Sequence, residues 1–151
     1  MGNTQKQGID YEETFAGVVV SKSFRIMLSI LNEVPTHEME HWDVKMAFTQ
    51  ATLDEEIFMY QPEGYEKGDG ICILLKSLYG LKQAARNWQL LLKKYFLQNG
   101  FHATKADACV FFRIENLDFC IVSTHVDDIF ALYLQHGKKF QDQLFAADLP
   151  F

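Results

Sequence analysis

The stretch Phe119-Cys-Ile-Val-Ser-Thr-His-Val-Asp-Asp-Ile-Phe-Ala-Leu-Tyr-Leu134 decides the fold. Residues 119–124 and 129–134 are apolar runs with the composition of β-strands, and the short polar segment between them is typical of a turn. The doubled carboxylate Asp127-Asp128 therefore lies at the tip of a predicted β-hairpin.

Further strands are predicted around this hairpin. Residues 108–114 are strand-like and are joined to residue 119 by turn-forming residues, so that three antiparallel strands are expected in succession. Another strand is predicted near residues 40–44. The apolar runs 57–60 and 71–75 are separated by turn-rich sequence and predict a separate hairpin.

Helices are predicted from apolar residues at helical spacing. The first follows Ser21, a potential N-cap, and ends before Pro35. A longer stripe over residues 81–96 predicts a second helix that stops at Gly100, and a short helix is predicted near 138–145. Because no repeated βαβ order is present, the predicted class is α+β, an antiparallel sheet with helices packed on one face.

Length and composition favour one domain. The 151 residues are 48% hydrophobic, enough for a core, and no apolar run approaches the length of a membrane span. We expect a soluble intracellular protein without membrane contact. The predicted division is an arm or connector at 1–17, a core at 18–134 and a C-terminal end at 135–151. The three cysteines form no CxxC pair and are expected to be buried thiols.

The charge of the chain is unevenly distributed. The net charge is −6, yet residues 70–106 contain six basic residues and no acidic one. This pattern indicates a polyanion-facing surface beside an acidic site that needs cations. Lys82, Arg86 and Lys93 are predicted to share one face of the second helix, whose opposite stripe around Trp88 is predicted to be buried. An ordinary solvated helix face is the alternative for these cations.

Three carboxylates form a candidate metal site. Asp43 lies near the end of a predicted strand, and Asp127 and Asp128 lie at the hairpin tip. Aspartate is also an ordinary turn residue, and each carboxylate alone has that simpler interpretation. Together, however, they match the arrangement that holds paired Mg²⁺ ions about 3.5 to 4 Å apart for phosphoryl transfer.

These residues belong to blocks that resemble the reverse transcriptase of copia-type LTR retrotransposons. The blocks run in order along nearly the whole chain: Gly8-Ile-Asp-Tyr-Glu-Glu-Thr-Phe-Ala16, Asp43-Val-Lys-Met-Ala-Phe48, Leu53-Asp-Glu-Glu-Ile-Phe-Met59 with Gln61-Pro-Glu-Gly-Tyr65, Lys76-Ser-Leu-Tyr-Gly-Leu-Lys-Gln-Ala-Ala-Arg86 with Trp88, Lys105-Ala-Asp-Ala-Cys109, and His125-Val-Asp-Asp128. Six blocks in the right order make the resemblance specific. His125 departs from it, because the family has a tyrosine there.

The resemblance implies a partial right-hand polymerase palm with remnant fingers. It implies that Asp43, Asp127 and Asp128 are catalytic ligands of two Mg²⁺ ions, for which Mn²⁺ could substitute. Phe48 would lie under the nucleotide sugar and exclude a 2′-hydroxyl, although a core phenylalanine is the equally simple alternative.

The resemblance also implies roles for other side chains. Tyr79, Gly80 and Lys82 would contact the incoming nucleotide and the template, whereas Arg86, Lys93 and His125 would contact nucleic acid. The implied partners are an RNA template, a DNA primer, deoxynucleoside triphosphates and the rest of a Pol polyprotein. The implied location is the cytoplasm, in virus-like particles, or the nucleus.

Two functions follow from the sequence. The first is RNA-directed DNA polymerase activity within a copia-type Pol polyprotein, of which this chain would be a truncated palm. In family terms the chain starts after the strands that grip the triphosphate and ends before the thumb, so the isolated chain is expected to extend primers poorly. The alternative is a catalytically inactive element remnant, or a captured fragment that binds nucleic acid or protein.

Overall fold

The computed structural model describes residues 2–146, without the side chains of residues 135, 141, 145 and 146. The described residues form two compact units: residues 2–16 with Met46–Leu91, and Gly17–Lys45 with residues 92–146. The single-domain assignment stays a prediction. The predicted C-terminal segment lies outside the described residues from position 147 onward.

The elements follow the predicted order. The helices are α1 Ser21–Glu33, α2 Ala47–Gln50, α3 Ala84–Gln98 and α4 Lys138–Ala146. The strands are β1 His37–Asp43, β2 Phe58–Tyr60, β3 Ile71–Ile73, β4 His102–Ala103, β5 Val110–Glu115, β6 Asp118–His125 and β7 Asp128–Leu134. The short α2 and β4 were not predicted, because segments of four and two residues carry no periodic apolar signal.

The second unit is built on a five-stranded antiparallel sheet with the order β1-β7-β6-β5-β4. β6 and β7 form the predicted hairpin, and β7 lies between β6 and β1. Ile129 and Ala131 of β7 are fully buried. The central position of β7 explains its apolar composition and places its first residue, Asp128, between two neighbouring strands.

Helices cover both faces of this sheet, so the prediction of helices on one face is wrong. Phe24 of α1 contacts Phe130 with ring centroids 4.9 Å apart, and Phe130 lies on the same face as its cross-strand partner Ser123. On the opposite face, Phe96 of α3 contacts Phe111 at 4.8 Å. The near-continuous apolar runs of β5 to β7 are typical of strands that are buried on both sides.

Helix α1 is anchored at its start by a carboxylate from another segment. Ser21 is the first residue of the helix rather than its N-cap, and the N-cap Val20 makes no side-chain cap hydrogen bond. Asp107 instead accepts a 2.9 Å hydrogen bond from the Val20 N–H and a 3.0 Å bond from the Cys109 N–H. The Lys105–Cys109 block therefore has a structural role in tying α1 to the loop before β5.

The first unit contains the β2–β3 hairpin, α2, the start of α3 up to Leu91 and the N-terminal residues. Gln5 bonds to Gln83 and accepts the Lys82 backbone N–H at 2.8 Å, so the described part of the predicted arm packs within this unit. Trp88 is 1% exposed, as predicted. Within residues 2–146, no helix is long and apolar enough to cross a membrane.

Candidate active site

The carboxylates Asp43 and Asp128 are directly opposite each other on β1 and β7. The next pair along, Val44 and Asp127, is joined by a 3.1 Å backbone hydrogen bond, so the Asp43–Asp128 pair is of the non-hydrogen-bonded type. In such pairs the Cα atoms are about 4.5 Å apart and the side chains lie closer than in hydrogen-bonded pairs. Two carboxylates are thus adjacent on one face of the sheet.

The turn that carries Asp127 is strained. β6 ends at His125 and β7 starts at Asp128, which leaves Val126 and Asp127 as a two-residue turn. Val126 has a φ of 60°, in the left-handed region that a β-branched residue rarely adopts. Strain of this kind persists only where the surrounding structure enforces it, and it concentrates at functional sites.

Asp128 has a side-chain partner that sequence reasoning missed. Nε2 of His41 lies 2.6 Å from Oδ1 of Asp128. The His41 ring is stacked on Phe130, with centroids 4.5 Å apart and planes 11° from parallel. The alternation of side chains along β1 could have indicated His41, because it is two residues before Asp43 and shares its face.

Asp127, the third predicted carboxylate, is adjacent to Asp128 in the chain but does not complete a three-residue metal-binding cluster. Among residues 2–146, no three His, Cys, Asp or Glu side chains are grouped so that they could hold a metal ion together. Mg²⁺ is usually held by one or two carboxylates together with substrate phosphates, and oxygen ligands suit it. The Asp43–Asp128 pair fits that donor set, whereas ligation by Asp127 stays a prediction.

A groove of about 500 Å³ lies beside Asp128. Its walls include Phe24 and Arg25 of α1, His125 of β6 and Phe130 of β7. His125 and Arg25 are both exposed. The groove therefore brings one cation and one imidazole to the side of the sheet on which the paired carboxylates lie, while nucleic-acid contact by His125 stays a prediction.

The predicted nucleotide-binding residues lie in the first unit. Phe48 of α2 packs against Tyr79 with ring centroids 4.6 Å apart. Gly80 has a φ of 96°, a conformation that favours glycine, and it lines a cavity of about 220 Å³ with Tyr79. A Cβ on Gly2 would lie 1.7 Å from the Gly80 carbonyl oxygen, so glycine is required at position 2 by close packing.

The predicted basic face of the second helix needs correction. α3 begins at Ala84, so Lys82 lies in the preceding turn and is exposed there. The Arg86 side chain is only 24% exposed and pairs with Asp54 at 3.2 Å and Glu13 at 3.3 Å. Lys93 is exposed as predicted. Arg86 is thus engaged within the protein, and its predicted contact with nucleic acid would compete with these two carboxylates.

Asp107 and Cys120 are among the buried residues whose pKa is altered. Burial raises the pKa of Asp107, but hydrogen bonds from Ser23, Val20 and Cys109 outweigh this, so its pKa lies below the ordinary value. Burial also raises the pKa of the Cys120 thiol to about 12. Cys109 and Cys120 are buried cysteines, as predicted, whereas Cys72 is only half-buried.

Comparison with known proteins identifies relatives over most of the chain. A family model described as reverse transcriptase (RNA-dependent DNA polymerase) matches residues 1–144. The Retrovirus-related Pol polyprotein from transposon TNT 1-94 of Nicotiana tabacum is 42% identical over 132 residues, which are 85% of this chain and 10% of the polyprotein. That from transposon RE2 of Arabidopsis thaliana is 37% identical over 85% of this chain and 9% of its own length.

A more distant relative is the Transposon Ty1-GR1 Gag-Pol polyprotein of Saccharomyces cerevisiae, 32% identical over 68% of this chain and 6% of its own length. No solved structure matches the chain. The chain spans about a tenth of the length of the plant polyproteins that it matches.

Proposed function

The chain belongs to the reverse transcriptase (RNA-dependent DNA polymerase) family of copia-type retrotransposon Pol polyproteins, and we propose that it forms the metal-binding palm of such a polymerase. The observation that carries the proposal is the cross-strand pairing of Asp43 with Asp128 next to the strained turn. Like charges directly opposite in a sheet are destabilising, and a cation between them would offset that cost.

Asp43 and Asp128 are the proposed ligands for divalent metal, with Asp127 as the third carboxylate. When bound, two Mg²⁺ ions, or Mn²⁺ in their place, would activate the primer 3′-hydroxyl and neutralise charge on the triphosphate. The carboxylates hold their positions because β1 and β7 are hydrogen-bonded on each side of the pair. Fixed ligands avoid reorganisation during the reaction.

The other predicted site residues have proposed roles in substrate binding. Phe48 and Tyr79 form an aromatic pair that is suited to packing against a nucleotide, next to the backbone of Gly80. Lys82 and Lys93 are exposed cations available to phosphates. The proposed substrates are an RNA template, a DNA primer and deoxynucleoside triphosphates.

Primer extension by a chimeric polyprotein tests the proposal. In the chimera, the aligned 85% of this chain replaces the matching segment of the tobacco polyprotein, whose unmodified form is the positive control. Because metal ligation contributes several kcal/mol to catalysis, we expect Asp43→Asn and Asp128→Asn each to lower the extension rate by roughly 10³-fold. Exposed Asp142→Asn is the matched control and should leave the rate unchanged.

Two results would contradict the proposal. A chimera that stays inactive while the control polyprotein extends primers would favour the non-catalytic alternative. Full activity of Asp43→Asn and Asp128→Asn would show that the paired carboxylates are not the metal ligands.

A further inference from the structure

We infer that His41 is a positioning residue for the proposed reaction, which holds the Asp128 carboxylate in one orientation and leaves its second oxygen available to a divalent cation. The inference rests on the proposed function. His41 lies outside the carboxylate set, and its contact with Asp128 spans 87 positions of the chain.

The contact has the geometry of a strong hydrogen bond. Nε2 of His41 is 2.6 Å from Oδ1 of Asp128. A carboxylate that binds a cation is ionised and only accepts hydrogen bonds, so in the metal-binding form the imidazole nitrogen is the donor. The terminal torsion of an aspartate is broad, and the carboxylate of Asp128 would rotate easily without such a donor. The hydrogen bond therefore selects one orientation of the two oxygens.

The imidazole is itself held in place by an aromatic stack. Its ring lies on Phe130 at 4.5 Å and 11°, and Phe130 contacts Phe24 of α1 edge-on at 4.9 Å. Consequently, α1 braces the ring that orients the carboxylate. Groups that hydrogen-bond to metal ligands fix their orientation in this way.

The sheet register explains how the contact forms. His41 pairs with Phe130, and Asp43 pairs with Asp128, so the four side chains form a block on one face of β1 and β7. His41 reaches Asp128 along the diagonal of this block, a distance that aromatic side chains can span. The two side chains are 52% and 40% exposed, so solvent limits what the pair contributes to folding stability.

Mn²⁺ affinity of the chain, measured by isothermal titration calorimetry, tests the inference. His41→Phe keeps an aromatic ring against Phe130 but removes the donor, and we expect it to weaken Mn²⁺ binding about 10- to 100-fold. His41→Gln restores a donor and should recover part of the loss. His102→Phe, which removes an exposed histidine from the edge strand of the same sheet, is the matched control and should bind Mn²⁺ like the wild type.

Asp128→Asn separates the inference from the proposed function. If Asp128→Asn loses Mn²⁺ binding while His41→Phe binds as tightly as the wild type or more tightly, the inference about His41 is overturned and the metal site stands. If Asp128→Asn binds Mn²⁺ like the wild type, the proposed metal site itself fails. Loss of binding in His41→Phe without any recovery in His41→Gln also overturns the donor role.

Discussion

At the scale of single residues, two unfavourable features meet at one end of the sheet. Asp43 and Asp128 place like charges side by side, which is destabilising in a cross-strand pair. Val126 in the adjoining turn has a left-handed backbone conformation that costs about 1 to 2 kcal/mol. Natural sequences violate such local rules mainly where function requires it, which agrees with a binding site for cations at this end.

Replacing Val126 with glycine should stabilise the protein. Glycine adopts positive φ without strain, so the substitution removes the backbone strain of the folded state. The greater conformational freedom of glycine in the unfolded chain offsets only part of this stabilisation. We therefore expect Val126→Gly to raise the free energy of unfolding by roughly 0.5 to 1 kcal/mol. Val34 is the matched control, because it is 38% exposed against 37% for Val126 but has a φ of −134°. Val34→Gly should be destabilising. Urea denaturation measures the stability of both variants. A loss of stability in Val126→Gly would contradict the interpretation that the backbone of Val126 is strained.

The sequence indicated the carboxylates but not the contacts that orient them. Asp127 and Asp128 stand between two apolar runs, and this local pattern is enough to predict a hairpin tip. His41 was missed because its partner Asp128 is far away in the chain, and such a contact depends on strand register. Asp107 was missed for the same reason, since its hydrogen bond joins it to Val20.

At the scale of elements, α3 carries cations with different roles. Arg86 is mostly buried and bridges Asp54 and Glu13, whereas Lys93 is exposed. We expect Arg86→Ala to lower the free energy of unfolding by about 1 kcal/mol. Lys93→Ala should leave stability unchanged. It should weaken the salt dependence of binding to a primer–template duplex by the amount that corresponds to the loss of about one phosphate contact. Denaturation and fluorescence anisotropy at several salt concentrations measure these effects. A stability loss in Lys93→Ala, or a change in salt dependence with unchanged stability in Arg86→Ala, would contradict these roles.

The anchoring of α1 by Asp107 should depend on pH. Asp107 is 7% exposed and its pKa in the folded protein lies below the ordinary value of 3.8. Its contribution to stability is therefore complete above about pH 4 and is lost as the pH falls through the lowered pKa. We expect Asp107→Asn to lose about 1.5 to 3 kcal/mol at pH 7, because hydrogen bonds to a charged group are removed.

The difference between wild type and Asp107→Asn should then shrink below pH 4, as measured by urea denaturation at several pH values. Exposed Asp142→Asn removes the same charge and should show no such effect. A difference that stays constant down to pH 2.5 would mean that the ionised carboxylate does not anchor α1.

The strands of the sheet were more predictable than the way in which the helices cover it. Alternating and apolar runs predicted β1, β5, β6 and β7 within a few residues, because these elements are long enough to carry a pattern. The burial of both sheet faces was misjudged, although the adjacent apolar residues Ile129 and Phe130 carry a signal for it. The start of α3 was predicted too early because the apolar stripe continues into the turn before Ala84.

At the scale of the whole molecule, the first unit exposes an apolar hairpin face. The cross-strand pairs Phe58–Ile73 and Tyr60–Ile71 lie on the same side of β2 and β3, with Phe58 63% and Tyr60 83% exposed. Contiguous apolar surface of this kind binds hydrophobic dyes. We expect the double variant Phe58→Ser/Ile73→Ser to lower the fluorescence of such a dye by about half, an estimate that follows from removing one of the two pairs.

Leu117→Ser is the control for this surface. Leu117 is 90% exposed at the tip of the β5–β6 hairpin, outside the apolar face of β2 and β3. Its substitution should leave dye fluorescence nearly unchanged. Equal effects of the two changes would show that the hairpin face has no special affinity for apolar ligands.

The most direct test of the proposed palm is the position of bound metal in crystals of the chain soaked in Mn²⁺. Anomalous scattering identifies manganese independently of any assumption about the site. The proposal predicts a manganese peak bonded to carboxylate oxygens of both Asp43 and Asp128, and its loss in crystals of Asp128→Asn. A clear map with no peak at this pair, or with manganese bound only at other carboxylates, would contradict it.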